Sequence, residues 1–143
     1  FRSSIISILE NQLNAKEIKV NLFSAEDIHL CTDLNMYKTV LRNLISNAIK
    51  FTNCGGVIKV FAKKGDSEIM ISVMDNGVGI PSHIIPKIFE VKEKHTSLGT
   101  QNEKGSGFGL KLCKELIEKQ GGRIWVESEE QIGSTFYFTV PYQ

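Results

Sequence analysis

Asn43, Asn47 and Lys50 recur at i, i+4 and i+7, a spacing that lines two carboxamides and an ammonium along one face of a helix. Oxygen donors beside a cation suit a hard metal ion and the oxygens of a phosphate. Taken alone, such a face is more often solvated surface. A second segment, Asp75-Asn76-Gly77-Val78-Gly79-Ile80, follows a stretch in which Ile69, Ile71 and Val73 alternate, so Asp75 falls in phase with residues that face a core. A carboxylate aimed that way needs a hydrogen-bond donor. The amino group of an adenine is one such donor, and Gly77 and Gly79 leave room for a flat ligand against the backbone. A strand-ending Asp-Asn-Gly turn is the plainer alternative. A third segment, Gly105-Ser106-Gly107-Phe108-Gly109-Leu110, opens a helical pattern, where exposed amides and the helix dipole favour an anion. It is neither a Walker A loop, which needs GK[ST] after a four-residue gap, nor the GxGxxG dinucleotide fingerprint. By itself it also reads as a hinge.

These segments need elements to position them. Apolar spacing predicts helices over 2–15, 34–51 and 107–119, with Thr32 or Asp33 capping the second and Gly121-Gly122 stopping the third. Strands are expected over 18–23, 28–31, 57–63, 68–74, 123–128 and 134–140, and a short helix over 82–89. Residues 90–106 carry few apolar anchors and read as a long loop. Strands in hairpin-like pairs argue for a two-layer α+β sandwich, a mixed and mostly antiparallel sheet with helices on one face.

The composition excludes several classes. Apolar residues make up 41% and charged residues 23% of 143, ordinary for one globular domain and too apolar for a disordered tail. Seventeen basic residues against 16 acidic ones give a net charge of +1, which argues against a dedicated nucleic-acid binder. No apolar run approaches a membrane span of ~18 residues, so no membrane contact is expected. The start at Phe1 reads as a fragment without a secretory leader. Cys31, Cys54 and Cys113 form no CxxC pair, so neither a zinc site nor a disulfide framework is expected, and a reducing, cytoplasmic setting fits.

The three segments, in this order and on these elements, resemble the N, G1 and G2 boxes of the ATP-binding catalytic domain of sensor histidine kinases. That domain belongs to a superfamily shared with type II topoisomerases, HSP90 and MutL. Residues 41–52 (LRNLISNAIKFT) are similar to the kinase N box, Ile88-Phe89-Glu90 to the F box that other branches lack, and residues 121–140 to the C-terminal hairpin. The resemblance covers about residues 5–141. It implies a Bergerat ATP-binding fold as a single domain over 1–143, with an ATP lid at about 90–106.

Roles follow residue by residue from the resemblance. Asn47 would ligate Mg²⁺, and Asn43 and Lys50 would support metal and phosphates, all three by positioning, with no residue acting as a base. Phe51 would lie near the nucleotide. Asp75 would accept from the adenine amino group, Gly77, Gly79 and Ile80 would shape the base pocket, and Ala48 and Leu110 would wall it. Lys104 in the lid and the backbone from Gly105 through Ser106, Gly107, Phe108 and Gly109 to Leu110 would meet the phosphates. Thr135 would reach the adenine side through water. Val91-Lys92-Glu93-Lys94 stands where many relatives carry Phe-x-Arg, so the lid cation for the γ-phosphate is left open.

The implied activity is transfer of the γ-phosphoryl group of Mg·ATP to a histidine on a separate helical-hairpin domain, with a response regulator downstream in a two-component phosphorelay. His29, His83 and His95 sit in no acceptor motif, so this chain is expected to lack the acceptor and to be monomeric alone. Two rival readings compete with this one. A clamp-type ATPase would carry a glutamate near the N-box asparagine, yet no acid occurs between Asp33 and Asp66. A degenerate binding module is disfavoured because every nucleotide motif is intact by residue type.

Overall fold

The computed structural model describes residues 4–32, 34–90 and 109–142. Its elements run α1 (Ser4–Ala15), β1 (Lys19–Leu22), α2 (Ala25–Cys31), α3 (Asn35–Phe51), β2 (Val57–Lys64), β3 (Glu68–Asp75), a 3₁₀ turn (Ile85–Lys87), α4 (Gly109–Lys119), β4 (Ile124–Glu129) and β5 (Gly133–Pro141). The five strands form one sheet in the order β1-β2-β3-β5-β4. β1 pairs with β2 in parallel, and the other three pairings are antiparallel. The expected α+β sandwich with a mixed sheet is what forms.

Alternation along the strands makes the two layers. Ile58 and Val60 of β2, Ile71 and Val73 of β3, and Phe136 and Phe138 of β5 are all buried on one face. Against them α3 lays the stripe Val40, Leu41, Leu44, Ile45, Ala48 and Ile49, with α1 and α4 packed at its sides. The α1 residues Ile6, Leu9 and Leu13 and the α4 residues Cys113 and Ile117 complete this core.

Three expectations are corrected. The segment 28–31 is the end of helix α2, and His29 is an exposed helical residue. Ile28 and Cys31, three apart, are buried at 3% and 5% exposure while Leu30 is 66% exposed, a helical pattern that a four-residue window hid. Glu26 and Asp27 in its first turn complement the helix dipole. Residues 82–89 form turns around a 3₁₀ segment, because Pro86 cannot donate the amide an α-helix needs there. Thr32 does not cap α3. Its hydroxyl donates back to the Ile28 carbonyl at 2.9 Å and closes α2, while the N-cap of α3 is Leu34 without a side-chain bond. Asp33 lies outside the described residues, as do the expected lid from residue 91 onward and the glycine-rich segment up to Phe108.

Candidate functional site

The C-terminal end of α3 meets the loop after β3, and the accounting of its backbone groups is complete. A helix leaves its last four carbonyls without helical partners. Here the Thr52 hydroxyl donates to Ala48 at 2.6 Å, the Lys16 ammonium donates to Ile49 at 2.9 Å and to Lys50 at 3.2 Å, and the Val78 amide donates to Phe51 at 3.0 Å. Lys16 reaches the Thr52 carbonyl as well, at 3.0 Å, and is itself only 2% exposed.

Asp75 ends β3 directly beside this junction. It pairs with Ile58 on one side and Ser134 on the other, and its residue is 5% exposed. Its Oδ1 accepts from the Gly77 amide at 2.9 Å. Burial pushes the carboxyl up to about 6, while the amides of Gly77 and Ser134 pull the opposite way. The loop 76–80 is held from two directions. A Cβ at Gly77 would strike the Phe51 carbonyl, so only glycine lets the loop after β3 pass so close to α3. Gly79 sits at φ +75° against the Glu129 carbonyl. Across the β4–β5 turn, the Ile80 amide donates to the Ser128 hydroxyl at 2.7 Å and the Gln131 amide donates to the Val78 carbonyl at 2.7 Å.

The expected residues divide into groups. Ala48, Lys50 and Phe51 end α3 where Asp75 and Gly77 approach it, while Gly79 and Ile80 of the same loop lie against the β4–β5 side. Lys50 is 6% exposed, with its Nζ 4.9 Å from the centroid of the Phe51 ring. Asn43 and Asn47 lie half-buried on the same helix. Asn43 borders a groove of about 490 Å³ between α3 and α4, together with Arg42, Gly109, Lys111 and Leu112, and the Cys113 thiol of α4 donates to the Val40 carbonyl one turn before it. Leu110 packs against the core beside it. Lys104, Gly105, Ser106, Gly107 and Phe108 are outside the described residues.

Thr135 is a correction. It pairs with Met74 and Glu127, on the sheet face opposite to Asp75, where the Tyr137 hydroxyl donates to Glu127 at 2.8 Å. One residue of register separates the two faces. The hydroxyl on the Asp75 side is that of Ser134, which is 5% exposed and 2.8 Å from the Ser128 hydroxyl. Lys16, Ser128 and Ser134 are the contributors that motif reading misses. Ser134 was accessible from the phase of β5 against Phe136 and Phe138; Lys16 gave no local signal, since its partners are 33 to 36 residues away.

Residues 32–143 match the family model described as histidine kinase-, DNA gyrase B-, and HSP90-like ATPase. The adaptive-response sensory kinase SasA of a Prochlorococcus marinus strain is 37% identical over 143 residues, covering 97% of this chain and 37% of that protein. The solved catalytic domain of histidine kinase ThkA superposes with a TM-score of 0.72 at 29% identity, covering 96% of this chain and 88% of that one. ThkA in complex with the response regulator TrrA gives a TM-score of 0.70 at 27% identity, covering 98% and 39%. The chain belongs to the family of histidine kinase-, DNA gyrase B- and HSP90-like ATPases. Within it, the chain is an ATP-binding catalytic domain of the sensor histidine kinase branch. It spans little more than a third of the length of the curated relative named here.

Proposed function

We propose that the chain binds Mg·ATP with the adenine amino group on Asp75 and presents the γ-phosphoryl group to a histidine of a separate helical-hairpin domain. The observation that carries this reading is the Asp75 carboxylate, buried at 5% exposure and held by the Gly77 backbone amide. A carboxylate partnered by amides keeps lone pairs for a ligand donor. In the transfer, the bond between the γ-phosphorus and the β–γ bridging oxygen breaks, a bond to an imidazole nitrogen forms, and ADP leaves. The protein contributes position and charge. Lys50 offers an ammonium at the phosphate side of α3, and Asn43 opens toward the groove at the start of α4.

Magnesium fits this arrangement. It is commonly held by one or two protein oxygens plus substrate phosphates, and Asn47, with Asn43 one turn away, offers carboxamide oxygens for that role. The ion would neutralise phosphate charge. Among the described residues no group of three or more His, Cys, Asp or Glu gathers into a metal site of its own. A response regulator is the downstream partner by analogy with the ThkA–TrrA complex. Use of ATP favours a cytoplasmic setting for the domain, and no described helix is long and apolar enough to cross a membrane.

The test is calorimetric titration with ADP, GDP and ATP, with and without Mg²⁺, followed by phosphorylation with and without the hairpin domain of the full-length protein. ADP is expected to bind, GDP poorly, because guanine offers a carbonyl where adenine offers its amino group. Acid-labile label should appear on the hairpin alone. Equal binding of ADP and GDP would remove Asp75 from the reading.

A further inference from the structure

We infer that Lys16 is a positioning residue for the adenine pocket, acting through the C-terminal turn of α3. This inference rests on the nucleotide reading of the Asp75 site. Lys16 follows α1 in sequence and enters the molecule from outside every nucleotide motif. Its ammonium, 2% exposed, donates to three carbonyls of one turn, those of Ile49, Lys50 and Thr52. A buried ammonium tolerates that place only because three acceptors and the negative pole of the helix dipole surround it. Its own carbonyl accepts from the Gly55 amide at 2.8 Å, so backbone and side chain both bind the α3–β2 connection.

The turn that Lys16 holds is the one that holds the pocket. Phe51, between the gripped residues Lys50 and Thr52, gives its carbonyl to the Val78 amide. Gly77 lies against the same carbonyl, and the Gly77 amide holds the Asp75 carboxylate. Three consecutive links therefore run from Lys16 to the acceptor of the base. Without the ammonium, the carbonyls of Ile49 and Lys50 would turn toward water or other donors, as helix ends do. Phe51 would move with them, and the Val78 and Gly77 amides would lose their reference point. Misplacement of a binding group by an ångström is a large effect in a preorganised site.

A matched control separates this role from general stability. Leu9 is on α1 and 4% exposed in the core, away from the pocket's hydrogen bonds. Lys16→Met, Lys16→Arg and Leu9→Ala are compared in the 143-residue chain, with ADP affinity measured by calorimetry well below each melting temperature. Hydrogen exchange at the Gly77 and Val78 amides is recorded in parallel. The expectation is that Lys16→Met weakens ADP by roughly tenfold and speeds exchange at both amides, while Lys16→Arg recovers part of each. Leu9→Ala should lower the melting temperature with affinity and those two amides unchanged. If Lys16→Met does not fold, Lys16→Arg against Leu9→Ala decides on the same two readouts. Unaltered ADP affinity and exchange in the folded Lys16 variants overturn the inference. Failure of the unmodified chain to bind ADP would instead strike the nucleotide reading, and the amide exchange would still report whether Lys16 governs the loop.

Discussion

Asp75 and Glu68 are carboxylates at the two ends of β3, and seven residues of alternation put them on opposite faces of the sheet. Glu68 faces the exposed side and pairs with the Arg123 guanidinium at 2.8 Å, where the arginine side chain is 64% exposed. Asp75 faces the core side, and its Oδ1 accepts from the fixed Gly77 amide at 2.9 Å. The difference is one of spare capacity. A mobile exposed cation neutralises an acid and leaves water to do the rest, so the pair is worth little. Immobile amides in a dry place hold a charge in position without cancelling it, and the remaining lone pairs stay available to a ligand. Burial that raises the Asp75 carboxyl from 3.8 to about 6 costs about 3 kcal/mol of folding stability at neutral pH.

That contrast can be broken at several points. The largest effect is expected from Asp75→Asn, which keeps shape and loses the charged acceptor. Charge-assisted hydrogen bonds are worth about 1.5–3 kcal/mol, or roughly ten- to a hundredfold in the Kd for ADP by titration. The same variant should melt no lower than the parent without nucleotide, since the buried charge is gone. Acidification comes next. With the folded carboxyl near 6, ADP affinity should hold at about pH 7.5 and fall by roughly tenfold toward pH 5 as the acceptor is protonated. Stability of the empty chain moves in the other sense. Between about 4 and 6 the folded state binds the proton more tightly than the unfolded one, so Asp75 favours unfolding as pH rises through that window. Thermal melts of Asp75→Asn should lack that component. Gly77→Ala should cost about 1–3 kcal/mol through the clash with Phe51, seen as a lower melting temperature together with weaker ADP binding. Glu68→Gln is the smallest, with ADP affinity within about twofold and stability within about 1 kcal/mol. A tenfold loss of affinity there would dissolve the comparison.

The phase of β3 told from sequence alone that Asp75 faces inward, because Ile69, Ile71 and Val73 recur at every second residue and Asp75 continues that series. The α3 stripe and the Gly121-Gly122 stop were legible for the same reason. The segment 28–31 was not, since four residues satisfy period 2 and period 3.6 alike, and the deciding residues Glu26 and Asp27 lie just before it. Thr135 was misplaced although its neighbours alternate cleanly. The role came by likeness of residue type, whereas the register puts Ser134 opposite Asp75. Lys16 was out of reach altogether, because a buried lysine is defined by what surrounds it in space, and its acceptors belong to a different helix.

The parallel pairing of β1 with β2 carries a consequence for how the chain is handled. Only four residues of β1, Lys19–Leu22, cover the backbone of Val57–Val60 on the outer side of β2. A chain cut back to residue 32 would retain every segment proposed to meet nucleotide, yet it would lay open the amides and carbonyls of that stretch, flanked by Val57, Ile58 and Val60. Bare strand borders of this composition recruit further strands from other molecules. Such a shortened chain should therefore self-associate in a concentration-dependent way on sizing columns, so the N-terminal α1–β1–α2 unit works as a guard against strand addition between copies.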